Sequence, residues 1–274
     1  MNNNRKQSLI FILFVTALSY FIFWGPIAIL KLRTANLVEG KIYSLPALIL
    51  FLIGGFVPSI VGIILTSLYE GRRGLKNLLF SAINTKIGIS SLSIILVYVV
   101  VLGSTQLILY ILFEGFFDFY QFINQLPTIL PLIILGPLSE EFGWRGFLQK
   151  RINLEFSPIS GSIIIGLVWS LWHLPLFFMI GTSQYDFNIP FFSFMISVIS
   201  SAFVYTYVYI KSNGSLFAAI LLHWISTYIL QIVTSQVIRT TAYNLMECLP
   251  ALIIGCVFIV LLKNQGMEKE RLYN

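Results

Sequence analysis

LPTILPLIILGPLSEEFGWRGFL, the stretch Leu126–Leu148, decides how the chain folds. It is long enough to cross a bilayer, because a spanning helix needs about 20 predominantly apolar residues. Yet towards its end it carries two adjacent carboxylates, Glu140 and Glu141, and the guanidinium of Arg145. An ionisable side chain in hydrocarbon costs about 2.5–3.5 kcal/mol on insertion scales, so it marks a functional-site hypothesis by default.

Seven more apolar runs flank this one, at approximately Leu9–Leu30, Leu45–Leu68, Ile87–Phe113, Ile163–Gly181, Ile189–Ile210, Leu216–Gln236 and Tyr243–Leu262. Apolar residues make up 57% of the 274 and charged residues 10%; the mean hydropathy is +0.88. Backbone polar groups in lipid must be satisfied within the segment, so continuous runs of this kind are helices. They do not alternate with period two, which excludes a β-barrel. The expected fold is all-α, a polytopic membrane bundle of about eight transmembrane helices. No hydrophilic stretch is long enough for a soluble domain. The chain divides into N-terminal transmembrane helices (1–125), a candidate catalytic core (126–236), and a last helix with a cytoplasmic tail (237–274). Leu9–Leu30 exceeds the 7–15 residues of a signal h-region and has no A-x-A-like site after it, so it reads as an uncleaved span kinked at Gly25-Pro26.

The net charge of +6 is a topology signal. With the amino terminus in the cytoplasm, thirteen of the 17 Lys and Arg fall inside, leaving Lys31, Arg33, Lys41 and Arg239 outside. That is the positive-inside pattern. The cations form no stripe, so a nucleic-acid partner is not expected. Cys248 and Cys256 lie eight residues apart on one helix, about 12 Å, too far for a disulfide. They read as packing residues.

The chain has only two histidines, and each sits in an apolar run. His173 lies in Trp169-Ser170-Leu171-Trp172-His173-Leu174-Pro175, where Pro175 breaks the helix just beyond it. Backbone freed at membrane depth must face protein or a wet cavity, which puts His173 beside water. His223 follows the turn Asn213-Gly214 and the candidate N-cap Ser215, and Thr227 stands one turn further on its face. In the first motif Arg145 lies at i+4 from Glu141, the position of an ion pair. Glu140 is then the freer carboxylate, with no partner expected in its own helix, and it suits a general base. Counted from the expected helix ends, Glu140, His223 and His173 lie about 9, 12 and 15 Å from the cytoplasmic edge, in one layer. Imidazole and carboxylate at one depth are groups for moving protons or holding a metal.

Glu-Glu-x-x-x-Arg, then aromatic-x-x-x-His, then His-x-x-x-(Asn/Asp), on successive spans, resembles the CPBP intramembrane proteases. These include the type II CAAX prenyl endopeptidases and the Abi or bacteriocin-immunity proteins. The matching residues are Glu140, Glu141 and Arg145; Trp169 and His173; His223 and Thr227. The resemblance covers roughly Leu126–Ile229. Trp169 stands in place of the usual Phe, a mild change between large aromatics. Thr227 stands where the family has Asn or Asp. The resemblance implies an intramembrane endopeptidase acting near the cytoplasmic face on membrane-tethered or apolar peptides. Glu140 would activate water, His173 would position it, and His223 with Thr227 would stabilise the oxyanion. Glu141 and Arg145 would hold the helix and tune Glu140. Glu140, His173 and His223 match a catalytic zinc set with an open fourth position, although the spacing is not HExxH and no outer carboxylate for the histidines is evident. Activated water without metal is the leading reading and zinc the alternative. A non-catalytic immunity-type membrane protein is the main rival, and a proton-coupled transporter the lesser one.

Overall fold

The computed structural model describes residues 3–36, 41–114, 119–234 and 241–273. Among them, eight long helical segments run back and forth. They are α1 (Asn3–Ile29), α2 (Leu45–Ile83), α3 (Ile89–Glu114), α4 (119–155), α5 (Pro158–Trp172), α6 (Phe191–Lys211), α7 (Leu216–Thr234) and α8 (Cys248–Tyr273). Among the described residues six helices are long and apolar enough to cross a membrane, and the apolar stretch Leu216–Ile232 is shorter. A two-residue antiparallel pair, Ala35–Asn36 with Lys41–Ile42, closes the α1–α2 connection. The bundle is the expected all-α membrane architecture. Arg239 lies outside the described residues.

Two helices depart from regular α geometry where the sequence crowds them. In α1 the backbone widens to a π-helix over Leu18–Phe23, just before Gly25-Pro26. In α4 two π stretches, Ile134–Leu138 and Trp144–Gln149, flank the turn that carries both carboxylates. Such π-bulges re-aim side chains and recur at functional sites. The helix does not stop at Leu148. It continues through Lys150–Glu155, because Lys150 and Arg151 find Glu70 on α2 at 2.9 and 3.0 Å. Arg5 on α1 pairs with Glu155 at 3.0 Å. These contacts gather the start of α1, the Glu70 region of α2 and the end of α4 at one face of the bundle, here the amino-terminal face. The connecting residues 30–36, 41–44 and 179–190 lie at the opposite face. Just past Glu70, Gly71 takes a left-handed φ of 65°, which turns the rest of α2 aside.

The core of the bundle is the crossing of α2 and α4, where two backbones touch. A Cβ at Gly62 would lie 2.6 Å from the Gly143 Cα, and one at Gly143 would run into the Pro58 carbonyl. Small residues at a helix crossing are the usual device where lipid gives no hydrophobic drive for association. The close approach lets Phe11 pack on Trp144 and Phe147, at ring-centre distances of 5.5 and 5.4 Å. On the other side α5 and α8 pack against α6, and α7 against α3. Gly143→Ala should therefore overpack this crossing by about 1–3 kcal/mol and lower the detergent melting temperature. Gly55→Ala, whose Cβ meets only Trp24 at 4.0 Å, should leave it near wild type. Thermal size-exclusion profiles of the two variants check this.

Candidate active site

The turn Ser139–Gly143 between the two π stretches buries both carboxylates; Glu141 is 0% and Glu140 7% exposed. A buried charge without partners is untenable, so each must collect donors. Glu141 Oε1 accepts from Arg145 Nη1 at 3.3 Å, the i+4 pair the spacing predicts. The same oxygen lies 2.7 Å from His223 Nδ1 on α7. Arg145 is itself fully buried and sits over the rings of Tyr205 at 4.1 Å and Trp169 at 4.4 Å. Among the described residues, Glu141 Oε2 and Arg145 Nε and Nη2 have no hydrogen-bond partner.

Glu140 is held differently. Its Oε2 accepts the indole N–H of Trp169 at 2.5 Å and that of Trp144 at 3.2 Å. Two expectations change here. Glu140 does have a partner in its own helix, Trp144, because an indole at i+4 reaches back one turn. And Trp169 is no mild substitute for Phe, since its N–H makes the bond that ties α5 to α4. Glu140 Oε1 makes no hydrogen bond among the described residues. One carboxylate oxygen is thus fixed and the other left available.

The two imidazoles are each oriented through Nδ1. His173 closes α5 at its C-cap, before the 3₁₀ turn Leu174–Phe178 that Pro175 enforces. Its Nδ1 lies 2.8 Å from the Trp169 carbonyl, an acceptor only, so Nδ1–H donates and Nε2 carries the lone pair in the neutral ring. His173 lies within electrostatic range of Glu140 and His223. His223 Nδ1 faces the Glu141 carboxylate, and its Nε2 lies beside Gly136 of α4. The sequence reading found no outer carboxylate for either histidine, yet Glu141 serves His223. Trp169 stands between the imidazoles, 6.3 Å from His173 and 5.7 Å from His223 by ring centres.

Ser215 caps α7 by accepting from Ala218 N at 3.2 Å, and Asn213 and Gly214 adopt positive φ in the preceding turn, as their sequence predicts. Thr227 follows His223 by one turn, but no hydrogen bond joins the two among the described residues. The neighbouring Ser226 hydroxyl is bonded to the Leu222 carbonyl.

A cavity of about 790 Å³ contains Glu140 and His173, along with Leu135, Trp172 and Gly55 at depth. His223 does not line it; it sits behind Trp169, bonded to Glu141. The cavity does not approach the amino-terminal face either. Its other polar walls are Arg33, Thr34, Thr182, Ser183, Gln184, Asp186 and Gln231, towards the opposite loops. The expected position near the cytoplasmic edge came from ending the helix at Leu148. With α4 extended to Glu155, Glu140 is 15 residues, about 22 Å, from that end and close to mid-helix. Among the described residues no three His, Cys, Asp or Glu side chains are grouped so as to hold a metal ion.

Residues 122–229 match the family model described as type II CAAX prenyl endopeptidase Rce1-like. The matched range includes every candidate site residue: Glu140, Glu141, Arg145, Trp169, His173, His223 and Thr227. The chain is 26% identical over 208 residues to CAAX prenyl protease 2 of Methanococcus maripaludis, covering 72% of this chain and 77% of that one. Both similarities are to CAAX prenyl proteases, and both support a membrane protease of the CPBP type. A more distant match, 24% identical over 137 residues, is to lysostaphin resistance protein A of Staphylococcus haemolyticus; it spans 50% of this chain and 36% of that protein. The CPBP motifs thus fall on the three helices, α4, α5 and α7, whose carboxylates and imidazoles meet in the bundle. The sequence reading missed Trp144, Tyr205 and Gln231. Tyr205 comes from α6, which reads as mere support, and an aromatic in an apolar run gives no sign of which ring it faces.

The Glu141–Arg145 pair carries a stability consequence. Removing one partner of a buried ion pair strands the other, at about 3–5 kcal/mol. Glu141→Gln should therefore destabilise the protein far more than Glu140→Gln, which keeps an oxygen for the two indoles. Melting temperatures of the two variants, each in detergent, check the order.

Proposed function

We propose that the protein is an intramembrane endopeptidase that hydrolyses peptide bonds of membrane-associated or apolar peptides with a glutamate-activated water. The observation that carries this reading is the split in Glu140: Oε2 is held by two indoles, Oε1 accepts no hydrogen bond among the described residues, and the residue lines a cavity together with His173. In that arrangement Oε1 takes a proton from a water positioned by His173 Nε2. The oxygen of that water bonds to the scissile carbonyl carbon, and the carbonyl oxygen becomes the oxyanion. As the C–N bond breaks, Glu140 returns the proton to the leaving amine. His223 is the candidate to stabilise the oxyanion in the form that carries a proton on both nitrogens, with Nδ1–H on Glu141 and Nε2–H as the donor. It stands beside the cavity rather than in its wall, so the carbonyl oxygen must be directed past Trp169. Arg145 holds Glu141 in place. Thr227 is left with at most a supporting role. No step in this sequence is routed through a metal.

The name of the archaeal relative suggests prenylated peptides ending in Cys-aliphatic-aliphatic-X as first substrates to try. Detergent-solubilised protein is incubated with a library of apolar peptides that includes a farnesylated peptide of this kind and its unprenylated counterpart. The wild type should cleave, and Glu140→Gln should not. Chelator should leave the rate unchanged. Trp169→Phe should fold but lose about 10- to 100-fold in kcat, the worth of one hydrogen bond to a charged group at about 1.5–3 kcal/mol. No cleavage of any peptide by the wild type, or equal cleavage by Glu140→Gln, would remove the protease reading.

A further inference from the structure

We infer that the cavity holding Glu140 and His173 opens on the extracytoplasmic side, so that the segments it receives are peptides presented from outside the membrane. Two independent observations combine. The first is geometric. The Arg5–Glu155, Lys150–Glu70 and Arg151–Glu70 pairs define the amino-terminal face. None of the cavity's lining residues comes from the segments at that face. Its walls run from Leu135, Gly55, Glu140 and His173 at mid-depth to Arg33, Thr34, Ser183 and Asp186 at the opposite face.

The second is charge. Arg145 is buried against Glu141, so it is not a loop charge and drops out of the topology count. Twelve of the other 16 Lys and Arg then belong to segments at the amino-terminal face, against Lys31, Arg33 and Lys41 at the other; Arg239 lies outside the described residues. Flanking cations are retained on the cytoplasmic side, which makes the amino-terminal face the inner one and the cavity mouth the outer one. The word substrate rests on the hydrolase reading; the orientation does not.

Cysteine accessibility tests it in the full chain. In a background with Cys248→Ala and Cys256→Ala, single cysteines are placed at Ser183 and Gln184 (cavity mouth), at Gly55 (mid-depth), and at Arg73 and Lys76 (amino-terminal face). Gly55 tolerates a Cβ, with Trp24 4.0 Å away as its nearest contact. A membrane-impermeant, positively charged methanethiosulfonate, which reacts with thiolate in water, is applied to intact cells. Ser183→Cys, Gln184→Cys and Gly55→Cys should be modified at once, and Arg73→Cys and Lys76→Cys only after permeabilisation. The reverse pattern, or labelling of all five in intact cells, would overturn the orientation. Modification at 183 and 184 with Gly55→Cys inert in both conditions would overturn the open path to Glu140. These outcomes are read without activity, so they stand apart from the fate of the peptidase assay.

Discussion

Two buried carboxylates side by side on one turn of a membrane helix form the constraint on which the rest of the structure depends. Neither can remain there without donors, and a single helix cannot supply enough of them. Glu141 reaches Arg145 in its own helix and His223 on α7. Glu140 reaches Trp144 in its own helix and Trp169 on α5. Satisfying the pair therefore requires α4, α5 and α7 to come together in one register. Arg145, stacked on Tyr205 of α6 as well as on Trp169, extends the requirement to a fourth helix. The polar groups that define the chemistry are thus the same groups that define the assembly.

The division of labour follows from which acceptor each donor uses. Both indoles bind one oxygen of Glu140, which fixes the carboxylate plane without filling its second acceptor. His173 and His223 each commit Nδ1, one to a carbonyl and one to a carboxylate, and so present the same nitrogen, Nε2, for other work. A site whose dipoles are already oriented in low dielectric needs little reorganisation when charge develops. The π stretches on either side of Ser139–Gly143 and the backbone contact of Gly62 with Gly143 hold the turn at the depth where this happens.

What could be read from the sequence was local. The Glu141–Arg145 pair follows from i+4 spacing, the break after His173 from Pro175, and the cap of α7 from Asn213-Gly214-Ser215. Contacts between helices could not be read, because hydropathy does not give the rotation of an apolar helix about its axis. Glu141 and His223 are 82 residues apart, and Trp169 and Glu140 are 29. Trp169 looked equivalent to Phe because its apolar bulk is visible in a sequence and the partner of its N–H is not. The end of α4 was placed too early for a different reason. Lys150 and Arg151 look like a helix end, but their pairing with Glu70 carries α4 on to Glu155.

The claim that the Glu140–indole bond ties α4 to α5 is tested most directly by a double-mutant cycle on stability. Glu140→Ala, Trp169→Phe and the double variant are unfolded in detergent against the wild type. Groups in direct contact couple by about 0.5–3 kcal/mol, whereas independent sites add. The account predicts coupling of at least about 1 kcal/mol, with the second substitution costing much less once the first is present. Strict additivity of the two single variants would contradict it.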